Sequence, residues 1–111
     1  MANIAPVNDD TFADKVLNSE MPVLVDFTAS WCGPCKAMAP AIEDLAREYE
    51  GEVAVYLMDI DASPKTCETH VVRSVPTFMV FHKGQVVERI LGMTSRSKLA
   101  AVLEAAIEAA Q

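Results

Sequence analysis

Cys32 and Cys35 stand on either side of Gly33 and Pro34 in the stretch FTASWCGPCKAMAP, residues 27–40. A pair with that spacing fits three chemistries: a redox couple, half of a metal site, or a structural staple. If the pair opens a helix, side chains at i and i+3 share one face with Cβ atoms about 5–6 Å apart. That is close to disulfide geometry, so the pair can close with little backbone movement. Cys32 then sits at the helix N-terminus, where unpaired N–H groups and the dipole favour a thiolate. Cys35 sits one turn in and is expected to be more shielded. The asymmetry suggests an exposed attacking thiolate and a resolving thiol that needs help losing its proton. Pro34 has the fixed φ that suits a first helical turn, and Gly33 permits close backbone approach. Lys36 reads as a solvated helix lysine rather than an aid to the thiolate.

Asp26 is the second singular residue, a carboxylate inside the apolar run Val-Leu-Val-Asp-Phe at 23–27. Burying it ionised is costly, so desolvation should raise its pKa. A raised carboxylate near a thiol pair is a candidate proton acceptor for Cys35. The alternative is a bent strand that lets Asp26 reach water. Cys67 and His70 form a C-x-x-H that, joined to Cys32 and Cys35, supplies four possible zinc ligands. A structural zinc usually organises a domain poor in core, and this one is rich in it. Cys67 therefore reads as a small buried residue, and His70 as a surface residue near a helix end.

These groups need a scaffold. The 111 residues, 51% of them hydrophobic, suffice for one domain over 1–111 with a single real core. Nine Lys and Arg against 16 Asp and Glu give a net charge of −7, which argues against nucleic-acid binding. The start, MANIAPVNDD, shows no basic and apolar leader, and no apolar run approaches the ~20 residues of a membrane span. The cytoplasm is the expected compartment, and a reducing compartment weakens the staple reading.

Apolar spacing predicts a helix over Asp9 to Asn18, with Phe12, Val16 and Leu17 inward and Asn8 or Asp9 as N-cap. Val23 to Phe27 and Val53 to Ile60 read as central strands, with a helix between them over 36–49 whose apolar positions include Ala37, Ala41, Leu45 and Tyr49. Pro40 should kink that helix, and Gly51 should stop it. A short helix or turn is expected over 62–70 with Pro64 near its start, then strands Thr77 to His82 and Gln85 to Leu91 about a hairpin at His82-Lys83-Gly84. Ser95 or Ser97 should cap a last helix striped by Leu99, Val102, Leu103, Ala106 and Ile107. With Asn3 to Val7 as a first edge strand, the order is β-α-β-α-β-α-β-β-α. That order predicts an α/β sheet covered on both faces, parallel first and antiparallel at the end.

WCGPCK, preceded by VDF and followed by AP, resembles the active-site motif of the thioredoxin family. The similarity continues through DID at 59–61, RSVPT at 73–77, KG at 83–84 and LG at 91–92, and so spans the chain. The resemblance implies a five-stranded mixed sheet flanked by four helices, and protein dithiol–disulfide exchange that maintains cell redox homeostasis. It implies that Cys32 is the nucleophile, Cys35 the resolving thiol and Asp26 the buried acid–base group, with Cys32 and Cys35 forming the redox-active disulfide. It also implies a cis Pro76 and a partner-facing apolar surface of Trp31, Gly33, Val75, Pro76 and Gly92, with Pro34 and Met93 alongside. No bound cofactor or metal is implied. Electrons would come from NADPH through a separate thioredoxin reductase, the substrates would be disulfide-containing proteins, and the chain would act as a monomer away from membranes.

Three positions depart from the family pattern. Thr28 stands where many relatives carry an aromatic residue. Leu57 stands where relatives often place a lysine near the buried acid, and its apolar side chain favours a still higher pKa at Asp26. Met93 replaces a small residue after the glycine and adds a soft side chain to the partner face. Two competing functions remain: a net oxidant or isomerase on the same fold, and a redox-independent binding subunit that docks partners through Trp31, Pro76 and Gly92.

Overall fold

Runs rich in β-branched and aromatic residues form five strands among residues 4–111, the part of the chain that the computed structural model describes: β1 (Ala5–Val7), β2 (Val23–Thr28), β3 (Ala54–Asp59), β4 (Thr77–His82) and β5 (Gln85–Leu91). Four helical segments accompany them: α1 (Ala13–Leu17), α2 (Gly33–Glu48), α3 (Pro64–Thr69) and α4 (Arg96–Ala110). Asn3, expected at the start of the edge strand, lies outside the described residues. The strands line up as β1-β3-β2-β4-β5. β3 runs parallel to both β1 and β2, whereas β4 is antiparallel to β2 and to β5. The β4–β5 turn has Lys83 at φ 52° and Gly84 at φ 79°. Two consecutive left-handed residues give the twist that a two-residue hairpin needs, and the glycine takes that conformation at no steric cost.

The two faces of the sheet carry separate clusters. Leu24, Phe78 and Val80 meet Met38, Ile42 and Leu45 of α2 and Leu99, Val102 and Leu103 of α4. On the other face Val23, Val25, Phe27, Met79 and Phe81 meet Phe12, Val16 and Cys67. Period-2 alternation along β2 therefore puts Leu24, Asp26 and Thr28 on the side of α2. Ser95 is the N-cap of α4 and accepts from the Lys98 N–H at 3.0 Å. Among the described residues no helix is long and apolar enough to cross a membrane.

Three local expectations need correction. The first helix begins only at Ala13, and its hydrogen bonding is wide, with the Asn18 N–H donating to Ala13 O at 3.0 Å. Asn8 instead builds a turn, its Oδ1 accepting from the N–H groups of Asp10 and Thr11 at 2.9 and 3.1 Å. Asp9 caps α3 instead, accepting from the N–H of Lys65 at 3.0 Å and of Thr66 at 2.8 Å and from Thr66 Oγ1 at 2.7 Å. Second, α2 starts at Gly33, three residues earlier than its apolar spacing suggested, and includes Pro40 within it. Its buried face is Cys35, Met38, Ile42 and Leu45, continued by Tyr49, while Ala37 is exposed and Ala41 half-buried. Third, β3 is paired on both edges yet only Met58 within it is buried. Val55 and Leu57 on one face and Ala54 and Tyr56 on the other pack against the two clusters while staying partly exposed.

Candidate active site

The turn between β2 and α2 presents the cysteine pair. Cys32 is the N-cap of α2, with extended backbone, and Pro34 occupies the first turn, where its missing N–H costs no hydrogen bond. Cys32 and Cys35 form a disulfide with Cα atoms 5.3 Å apart. The Cys35 N–H donates to Cys32 Sγ at 3.1 Å. An N–H donor at a helix start is the kind of partner that stabilises a thiolate, and it is aimed at Cys32. The expected difference in exposure is absent: Cys32 is 4% exposed and Cys35 5%. Both sulfurs pack with Ala29 in a small cluster to which Ile60 and Val75 contribute. The asymmetry of the pair lies in helix position and hydrogen bonding, not in access to solvent.

Asp26 is 1% exposed. It lies opposite Leu57 of β3 on one side and Phe78 of β4 on the other, and its Oδ1 has no hydrogen-bond partner. The strand does not bend to water. Desolvation pushes the carboxyl up from 3.8 to about 7. Thr28 and Leu57, the two departures from the family pattern in this region, line one cavity of about 350 Å³ together with Cys35, Lys36 and Asp59. Asp26 sits one strand repeat before Thr28 on the same face, so Asp26 and Cys35 are on the same side of the sheet.

The Val75–Pro76 bond is cis, as the resemblance implied. Val75 packs on the cysteine cluster, and the Gly92 N–H donates to Pro76 O at 2.9 Å. Trp31 is 65% exposed and Met93 59%. Gly33 and Pro34 are exposed as well, while Val75 and Gly92 are half-buried and Pro76 is buried. Trp31, Gly33 and Pro34 thus flank the cysteines in the chain, and Val75 reaches their cluster with Pro76 next to it and Gly92 bonded to Pro76. Leu91, next to Gly92 in the chain and opposite Thr77 in the sheet, is a further large apolar side chain left 65% exposed. Asp61 was also missed, although it lies in the DID segment: its Oδ2 accepts from Trp31 Nε1 at 2.8 Å.

Cys67 and His70 are elsewhere. Cys67 is buried, free, and packed with Phe12, Phe81 and Val72 on the far face of the sheet. Burial, and then the charges of Asp9, Asp59 and Asp61, push its thiol up. His70 is half-buried rather than at the surface, its ring 5.5 Å from Phe12 and 5.3 Å from Phe81, and burial and the nearby Arg89 lower its pKa. Among the described residues, no group of three or more His, Cys, Asp or Glu side chains could hold a metal.

The thioredoxin family model matches residues 3–105. A thioredoxin from Synechocystis sp. is 42% identical over 104 residues, 94% of this chain and 97% of that protein. Thioredoxin C-2 from Corynebacterium nephridii is 42% identical over 103 residues, covering 93% and 95% of the two chains. The chloroplastic M-type thioredoxin of Spinacia oleracea is 44% identical over 101 residues, which span 91% of this chain and 56% of that longer one. A cysteine pair closed across the first turn of a helix, set in a fold and a sequence of this kind, is a centre for dithiol–disulfide exchange, and the chain belongs to the thioredoxin family as a protein-disulfide oxidoreductase.

Proposed function

We propose that the protein works as a net reductant of disulfides in other proteins, with Cys32 attacking and Cys35 resolving. The observation that carries this division of labour is the Cys35 N–H hydrogen bond to Cys32 Sγ at the start of α2. In the reduced protein the Cys32 thiolate attacks one sulfur of a substrate disulfide and the other leaves as a thiolate. The Cys35 thiol gives its proton to the Asp26 carboxylate and attacks Cys32 Sγ. The second substrate thiolate leaves, and two electrons have passed from the Cys32–Cys35 dithiol to the substrate. Asp26 suits the part because a base with a pKa of about 7 is half-ionised at neutral pH.

Trp31, Gly33, Pro34, Val75, Pro76, Gly92 and Met93, extended by Leu91, form the apolar surface on which partner proteins dock. A separate thioredoxin reductase, drawing on NADPH, returns the disulfide to the dithiol. The protein itself holds no cofactor in this scheme and works as a monomer. A reducing compartment, the cytoplasm, fits a chain whose third cysteine is free and buried. Reduction of insulin disulfides with a dithiol donor tests the scheme. Wild type should turn over and Cys32→Ser should be inactive. A Cys32→Ser variant that retained the activity would overturn Cys32 as the attacking thiol, whereas a Cys32→Ser/Cys35→Ser pair that kept biological function would favour the docking-subunit reading.

A further inference from the structure

The C-terminus of α3 closes with two reverse hydrogen bonds, Val71 N–H to Glu68 O at 3.3 Å and Val72 N–H to Cys67 O at 2.8 Å. That is the Schellman pattern, whose closing residue must be left-handed and is usually glycine. Here the residue is Val71, at φ 56°. A β-branched residue rarely adopts that conformation. Its side chain is 54% exposed, so packing does not hold it there.

Arg89 does. This residue of β5 pairs with Met79 in the β4–β5 register and so projects over the same face as His70, Phe12 and Phe81. Its Nη1 donates to Val71 O at 3.3 Å and its Nη2 donates to His70 O. The fork takes the carbonyls of two successive residues at the turn, which fixes the orientation of both peptide planes. The segment that follows leads directly to Val75 and Pro76. At its far end Pro76 O accepts from Gly92 N–H at 2.9 Å, just beyond β5, and Ser74 O accepts from the buried Thr77 Oγ1 at 2.8 Å. One strand therefore ties both ends of residues 71–76.

We propose that Arg89 is a positioning residue for substrate recognition: by holding Val71 in its left-handed turn it sets where Val75 and Pro76 stand on the docking face. This deepens the docking role proposed above and rests on it. Arg89 is no part of the cysteine cluster, so its removal should act on binding and leave exchange chemistry alone. Glycine at 71 accepts the turn without help, so it should make Arg89 dispensable.

The test is steady-state reduction of insulin by wild type, Arg89→Ala, Val71→Gly, the double variant and Val75→Lys, each also assayed against a small aromatic disulfide that needs no docking face. Arg89→Ala should raise KM for insulin about three- to tenfold, with kcat and the small-disulfide rate unchanged. The double variant should return to within about twofold of wild type, and Val71→Gly alone should match wild type. A role limited to stability would lower Tm in Arg89→Ala while leaving KM in place, and that result overturns the proposal. So does a double variant with the raised KM of Arg89→Ala. If Val75→Lys raises KM and Arg89→Ala does not, the proposal about Arg89 fails while the docking face stands. If Val75→Lys leaves KM unchanged, both fall.

Discussion

Trp31 and Asp61 are joined, 30 positions apart in the chain, by a hydrogen bond of 2.8 Å from the indole N–H to Oδ2. The bond ties the turn before α2 to the loop after β3 and holds a ring that is 65% exposed beside Cys32. Asp61→Ala should therefore raise KM for a protein disulfide about two- to tenfold, the range for one hydrogen bond to a charged acceptor. The chain has one tryptophan, so its fluorescence anisotropy reports on the ring directly. Anisotropy and KM both unchanged in Asp61→Ala would show that the bond does not restrain the ring.

In the reduced protein near neutral pH, Cys32 should be the thiol alkylated fastest, by at least about tenfold over Cys67. The start of α2 favours a thiolate at Cys32, whereas burial and three neighbouring carboxylates hold Cys67 protonated. Brief iodoacetamide treatment followed by peptide mapping decides it. Preferential labelling of Cys67 would overturn the assignment.

What the sequence made legible follows from what each signal depends on. The strands and α4 were readable because their signals are local, as in the continuous apolar run of Val23 to Phe27 or the helically spaced stripe from Leu99 to Ile107. Asp26 was readable because a charge in an apolar run has one meaning wherever the run lies. Asn8 and Asp9 were misread because either side chain could cap the nearest helix, and only the folded chain shows Asp9 reaching Lys65 and Thr66. The same limit hid Trp31–Asp61 and the Arg89 fork, whose partners lie 30, 18 and 19 positions away. The equal burial of Cys32 and Cys35 was hidden too, since it depends on Val75 folding back over the pair.

Asp9 accepts three hydrogen bonds from the first turn of α3, a helix only six residues long. So short a helix depends on its cap. Asp9→Ala should lower Tm by roughly 4–8 °C, while Asp9→Asn, which keeps an acceptor, should lose much less. Differential scanning calorimetry of the three proteins measures this; equal losses in the two variants would mean that charge, not capping, is the contribution.

Cys35→Ser should accumulate a stable mixed disulfide between Cys32 and protein substrates, because the sulfur that would release them is gone. After quenching of free thiols, pull-down of the variant should recover partners that dithiothreitol releases, and Cys32→Ser should recover none. Recovery through Cys67 instead would contradict its burial on the far face of the sheet.

Asp26 couples the site to stability. Its folded pKa of about 7 is raised above the ordinary 3.8 by desolvation, so the fold favours the neutral acid. Ionisation costs nothing below the unfolded value, costs progressively more as pH rises from about 4 to about 7, and costs a constant amount above that. The plateau is on the order of 4 kcal/mol by linkage. Denaturant melts of the oxidised protein should thus show Asp26→Asn gaining on wild type between pH 4 and 7 and holding its advantage at pH 8. The same titration should govern exchange: in single-turnover reduction the resolving step of wild type should quicken through pH 7, and Asp26→Asn should lose that inflection while its first attack stays nearly intact. Leu57 supplies no counter-charge opposite Asp26, so Leu57→Lys should move both midpoints to lower pH together. Parallel stability curves for wild type and Asp26→Asn would mean that the carboxylate ionises as it does in water, and its part as the base for Cys35 would fall with them.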